Sequence, residues 1–282
     1  LVLTTILWGA GPVAGKVALA GIPTITLGAL RFVLSALILL AAASGRIASW
    51  RTLSRQDVGM LLLLGGLGIF VNHLLFFYAL GLAPASHASI IAPTTSPIWT
   101  ILMAVWLAQE RVGRSQIVGI ALCMGGVVLV VQPTGGTGEA AAVLLGDLLF
   151  LLAGLTWGIY SSLCKVAMRR MSTESVLAYA MGLGGLALCP LALAERPWAT
   201  LPAASVASWA GLLYLAVANT VLAFSWWNLG IQRVGAGRTA TFSNLVPVFG
   251  VAIAALVLGE RLTAAQLAGG GLCLVGVWLC QR

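Results

Sequence analysis

Charge is what this sequence has least of. Only 8% of its 282 residues are Asp, Glu, Lys or Arg, against about a quarter in a soluble domain. So few charges cannot clothe a water-facing surface, and a soluble globular protein is excluded. Histidine is nearly missing too: His73 and His87 are the two copies, which leaves a metal centre poorly supplied. The five cysteines, Cys123, Cys164, Cys189, Cys273 and Cys280, form no CxxC pair and lie in or beside apolar runs. They read as small buried packing residues, not as metal ligands or a disulfide framework. No HExxH, no GxSxG and no GxxxxGK followed by Ser or Thr occurs, so the usual metalloprotease, serine hydrolase and nucleotide-binding signatures are absent. The net charge of +8 comes from basic residues scattered between apolar runs, with no stripe or aromatic-interleaved patch. A nucleic-acid partner is therefore not expected.

What the chain does have is apolar length. Hydrophobic residues make up 60% and the mean hydropathy is +1.05, which places it in a lipid bilayer. At about 20 residues per crossing, spans are predicted at 1–20, 24–43, 58–81, 84–107, 114–132, 143–167, 174–194, 206–231, 236–258 and 264–281. Gly21, Ile22 and Pro23 make a tight turn between the first two. The fold expected is all-α and integral to the membrane. The chain opens on Leu1, not methionine, so the native start is expected upstream, and no removable signal peptide is read from the opening run.

The chain also repeats itself. Pro97 to Val127 aligns with Pro247 to Val277 at an offset of 150: Glu110-Arg111 on Glu260-Arg261, Gln116 on Gln266, Gly119 on Gly269, Cys123 on Cys273. Trp8-Gly9 and Lys16-Val17 align with Trp157-Gly158 and Lys165-Val166 at an offset of 149, as do Gly81 and Gly230. Ten spans therefore divide into a first five-helix unit, 1–132, a Gly- and Pro-rich linker, 133–142, and a second five-helix unit, 143–282. With the N-terminus in the cytoplasm, eleven of the 15 Lys and Arg face it, leaving Lys16, Arg31, Arg196 and Arg261 outside. The positive-inside rule then puts both termini in the cytoplasm. Five is odd, so the units insert in opposite senses. An inverted repeat of this kind is a transporter plan, with substrate near the midplane between the units.

Polar and aromatic groups deep in the spans are the candidates for contact with substrate. Asn72 and His73 lie past the middle of the third span. His73 reads either as a substrate contact or proton-sensitive gate, or as a histidine hydrogen-bonded to a neighbouring helix. His87, near the outer end of the fourth span, is explained by an interfacial location. Trp8 and Trp157 are mates in the repeat and suggest a cavity wall; Tyr160 shares a face with Trp157. Tyr78, Trp99 and Trp227 add further polar-tipped rings, each of which packing or an interfacial belt also explains. Pro93, Pro97 and Pro247 lie inside spans and read as hinges or gates, or as static kinks. Arg31 is expected to make a structural ion pair with Asp147 or Glu260, or to snorkel outward. Glu110 and Glu260 are expected in interfacial ion pairs with Arg111 and Arg261.

Trp-Gly…Lys-Val in the first span of each unit, Leu30-Arg31-Phe32 in the second, and Pro…Glu-Arg…Gln…Gly…Gly-Val across each closing pair resemble the EamA-type members of the drug/metabolite transporter superfamily. The first copy departs from the usual signature, reading Ala-Gln-Glu-Arg-Val. The resemblance implies an inverted five-plus-five of ten helices around a central cavity lined by spans one, three, four, six, eight and nine. The His73 and Trp157 pattern is similar to the YddG-type bacterial amino-acid exporters. It implies alternating-access export of a small metabolite, an amino acid first, from a bacterial inner membrane, without a cofactor and with the bilayer and a small-molecule substrate as partners. A monomer is compatible with it. A multidrug carrier or a nucleotide-sugar or phosphate-ester carrier stays open, the last needing cavity Lys or Arg. An intramembrane enzyme would need an acid–base pair, and His73 has no carboxylate on a nearby turn.

Overall fold

The computed structural model describes residues 1–108, 114–130, 137–234, 242, 245–259 and 263–280. Among the described residues there is no strand. The helices are α1 (Val2–Leu19), α2 (Thr24–Ala42), α3 (Arg55–Leu82), α4 (Ala85–Ala108), α5 (Arg114–Val130), α6 (Thr137–Ala167), α7 (Thr173–Ala194), α8, α9 (Leu245–Leu258) and α10 (Ala264–Cys280). The eighth runs without a break from Val206–Leu213 through Tyr214–Leu222 into Ala223–Val234. Single turns occur at Ser44–Arg46, Trp50–Thr52, Pro197–Thr200 and Leu201–Ala203.

Six described helices are long and apolar enough to cross a bilayer: α1, α2, α3, α6, α7 and α8. Large apolar side chains stand outward, with Leu3 at 62% exposed and Leu256 at 86%, an arrangement that only a lipid surround rewards. The starts are written by local chemistry. Ser54 and Asp57 close a reciprocal capping box on α3, Ser172 caps α7 and Ser205 caps α8. Thr263 and Gln266 exchange bonds at the start of α10. The start of α2 lacks such a cap. Instead Glu195, at the end of α7, accepts from the backbone N–H of Ile25 and Thr26 at 3.0 and 2.7 Å, placing a carboxylate at the positive end of a helix.

The helices pair α2 with α7, α4 with α6, α1 with α9 and α5 with α10. Two apolar clusters fill the interior, one around Leu27, Phe77, Leu80, Ile91 and Phe150, the other around Phe32, Leu61, Ile69, Met181 and Leu188. Two features depart from expectation. The sixth helix starts at Thr137, not 143, so it enters the stretch expected as linker; Glu139 followed by three alanines is strongly helix-forming. And α3 and α8 each contain a wide-turned π segment, Leu64–Val71 and Tyr214–Leu222, at matching places in the repeat. Such segments are rare and recur at functional sites, because a five-residue register leaves backbone groups free of their usual partners.

Candidate functional site

The π segment of α8 organises the centre. There the N–H of Ala223 bonds to Ala218 O, five residues back, instead of taking Asn219 O. The indole Nε1 of Trp8 donates to that carbonyl at 3.1 Å. The Asn219 side chain works in two directions: its Nδ2 donates to Leu7 O at 3.0 Å, and its Oδ1 accepts from Arg31 Nη2 at 2.8 Å. Tyr214 also donates to Leu7 O, at 2.9 Å. Pro12, inside α1, lacks the N–H that would pair with Trp8 O, the carbonyl next to the one that Asn219 and Tyr214 reach. Gly11 leaves the room: a Cβ there would stand 2.6 Å from Asn219 Nδ2.

Around this seam the aromatic rings gather. Trp8 meets Trp157 edge-on at 6.3 Å between centroids, Phe224 at 5.5 Å and Trp227 at 4.8 Å. Trp157 in turn meets Phe224 at 5.3 Å and Tyr160 at 5.3 Å. The Tyr160 ring seats against Gly68 of the α3 π segment, where any Cβ would overlap it. Helices α1, α6 and α8 thus bring together four of the expected contacts, Trp8, Trp157, Tyr160 and Trp227, and add Phe224. Electron-rich ring faces suit an organic solute with an apolar or aromatic part.

Other expected contacts sit elsewhere. Asn72 turns to α6, donating through Nδ2 to Ala153 O and Thr156 Oγ1, both at 2.8 Å. His73 is 2% exposed; its Nε2 lies 2.9 Å from Thr24 O at the start of α2, and its ring stacks on Phe77 and meets Phe32 edge-on. Gly28 makes this fit possible, since a Cβ there would overlap the imidazole. Tyr78 is 47% exposed on the outside of α3, so it does not join the aromatic wall. Trp99, on α4, is half-buried, with its indole N–H sealed from solvent and no acceptor among the described residues. Pro93 and Pro97 fall inside α4. Pro247 is the third residue of the described part of α9, Leu245–Leu258.

Two charged residues differ from expectation. Arg31 makes no ion pair with a described residue. Its Nε donates to Thr220 Oγ1 at 2.9 Å and its Nη2 to Asn219 Oδ1, and its guanidinium lies 4.9 Å from the centre of the Phe32 ring and 5.6 Å from that of Phe77. Asp147 instead holds His87, which is fully buried. His87 Nδ1 lies 2.8 Å from Asp147 Oδ1, and its Nε2 lies 2.7 Å from Gln266 Nε2. Gln266 Oε1 already accepts from Thr263 N–H, so its amide nitrogen donates to the ring, and Nδ1–H donates to the carboxylate. This bridge joins α4, α6 and α10. Counting residues from the end of the fourth span gives its depth along the helix, but not that three helices close over it. Glu110 and Glu260 lie outside the described residues.

Similarity to known proteins follows the same lines. The EamA-like transporter family matches residues 1–132 and again 144–281. A probable amino-acid metabolite efflux pump of Salmonella typhimurium is 29% identical over 98% of this chain and 92% of its own. A probable terminal-alkyne amino-acid exporter of Streptantibioticus cattleyicolor is 28% identical over 100% and 92%. The aromatic amino acid exporter YddG of Ancylobacter novellus is 29% identical over 64% and 61%. A solved crystal structure shares the fold, with a TM-score of 0.67 at 21% identity over 98% of this chain and 94% of that one. With the family matched twice along nearly its full length, this chain is a membrane transporter, not an enzyme, and belongs to the EamA-like transporter family.

Proposed function

We propose that the chain exports amino acids with apolar or aromatic side chains across a bacterial inner membrane. Its ten helices would form an inverted five-plus-five, units 1–132 and 143–282 joined through 133–142, with both termini cytoplasmic. The substrate rests against Trp8, Trp157, Phe224 and Trp227, and alternating access exposes it to each side in turn. Pro93 and Pro97 of α4 would serve as its hinge. The observation that carries this reading is the ring cluster itself, drawn from helices of both units and joined by an indole bond to the π segment of α8. The named activities of similar proteins, amino-acid export and efflux, point to the same substrate class.

The test is counterflow of radiolabelled L-phenylalanine in proteoliposomes. Wild-type protein should carry saturable flux above empty vesicles, and Trp8→Ala with Trp157→Ala should lower it by about tenfold or more, since each removes an aromatic contact worth ~1 kcal/mol or above. Undiminished flux in the double variant would remove the rings from the substrate path.

A further inference from the structure

We infer that Arg31 is the anchor for the substrate's carboxylate, an inference that rests on the amino-acid reading above. Arg31 is 7% exposed in the interior of α2, yet every partner it has among the described residues is neutral: Asn219, Thr220 and the faces of Phe32 and Phe77. A permanent cation inside a membrane span is costly, and proteins keep one where it meets an anion. No carboxylate of a described residue lies within ion-pair distance. Asp147 is committed to His87, and Glu195 caps the start of α2.

The fork is also oriented. Nε and Nη2 are held by two successive residues of the α8 π segment, which fixes the guanidinium plane. Nη1 bonds to no described residue. A guanidinium pinned on one edge with a nitrogen to spare is prepared for an oxygen anion. Asn219 ties the cation to the rings, since its side chain holds Arg31 and its backbone carbonyl holds Trp8. One residue therefore spaces a positive group from an aromatic wall. An apolar or aromatic amino acid presents the complement, a carboxylate at one end and a ring or alkyl group at the other. A single guanidinium matches the single charge of a carboxylate, whereas a phosphate ester would call for more cations around it. The sequence offers no such cluster in this helix: Arg31 is the only charged residue between Thr24 and Ala42.

The experiment is competition for L-phenylalanine counterflow by L-phenylalanine, its methyl ester, phenethylamine and phenyl phosphate. In wild-type protein the free amino acid should compete on the order of tenfold more strongly than the ester or the amine. Arg31→Gln should erase that preference, weakening L-phenylalanine by about tenfold while leaving phenethylamine within about twofold; Arg31→Lys should restore part of it. Equal competition by acid, ester and amine in wild-type protein overturns the proposal without any variant, even where Arg31→Gln fails to fold. Preferred competition by phenyl phosphate overturns it too. Wild-type protein that carries no amino-acid flux at all overturns the underlying reading, and the anchor with it.

Discussion

Two crossings occupy corresponding places in the repeat and are built from opposite materials. In one, α2 lies over the π segment of α8; in the other, α7 lies over the π segment of α3. The offset of 149 sets Arg31 against Ala180 and Ser35 against Gly184. Arg31 and Ser35 reach across their crossing, Arg31 to Asn219 and Thr220, Ser35 to Ala216 O at 3.0 Å. Ala180 and Gly184 instead let backbones touch: a Cβ on Gly65 would stand 2.9 Å from Ala180 O, and one on Gly184 would stand 2.6 Å from Gly65 O. Small residues give close van der Waals packing in lipid, where no hydrophobic drive joins helices. Polar side chains hold their partners apart and place a charge between them. Duplication provides the frame and the paired Trp8 and Trp157, and the buried charge sits where one copy has departed from the other.

That contrast can be broken by experiment. The His87 bridge lies outside both crossings and calibrates the stability scale: His87→Ala leaves Asp147 buried without its partner and should cost about 3 kcal/mol or more in a detergent unfolding curve. Gly184→Val should come next, losing about 1–3 kcal/mol from overpacking against the α3 backbone; a variant as stable as wild type would deny that this crossing is tight. Trp8→Phe keeps a ring but deletes the bond to Asn219 O, and should cost about 1 kcal/mol with a larger fractional loss of flux than of stability. Tyr78→Phe should change stability by less than about 0.5 kcal/mol and leave flux alone, because the ring faces outward. A flux defect there would return Tyr78 to the substrate path.

Much of the frame was legible because hydrophobic length, turn residues and the offsets are one-dimensional signals. The Trp8 and Trp157 pair was legible for the same reason, each standing at the other's position in the repeat. The partners of Arg31 were not: Asn219 and Thr220 lie almost 190 positions away, and the π register that turns them inward has no composition of its own. The surroundings of His73 and His87 were hidden for a related reason. Depth along a span can be counted, but the side of the helix that a residue faces depends on which neighbour leaves room, as Gly28 does for His73.

The proposed route has substrate meet the rings of α1, α6 and α8 beside Arg31, and not the apolar crossing. Photolabelling tests it directly, with tritiated p-benzoyl-L-phenylalanine irradiated on protein in proteoliposomes and adducts mapped by mass spectrometry. Adducts competed by L-phenylalanine should fall on peptides carrying Trp8, Trp157 and the Phe224–Trp227 stretch, and should shift or vanish in Arg31→Gln. Competed adducts at Gly65, Ala180 or the outer face around Tyr78, with none on the ring cluster, would contradict it.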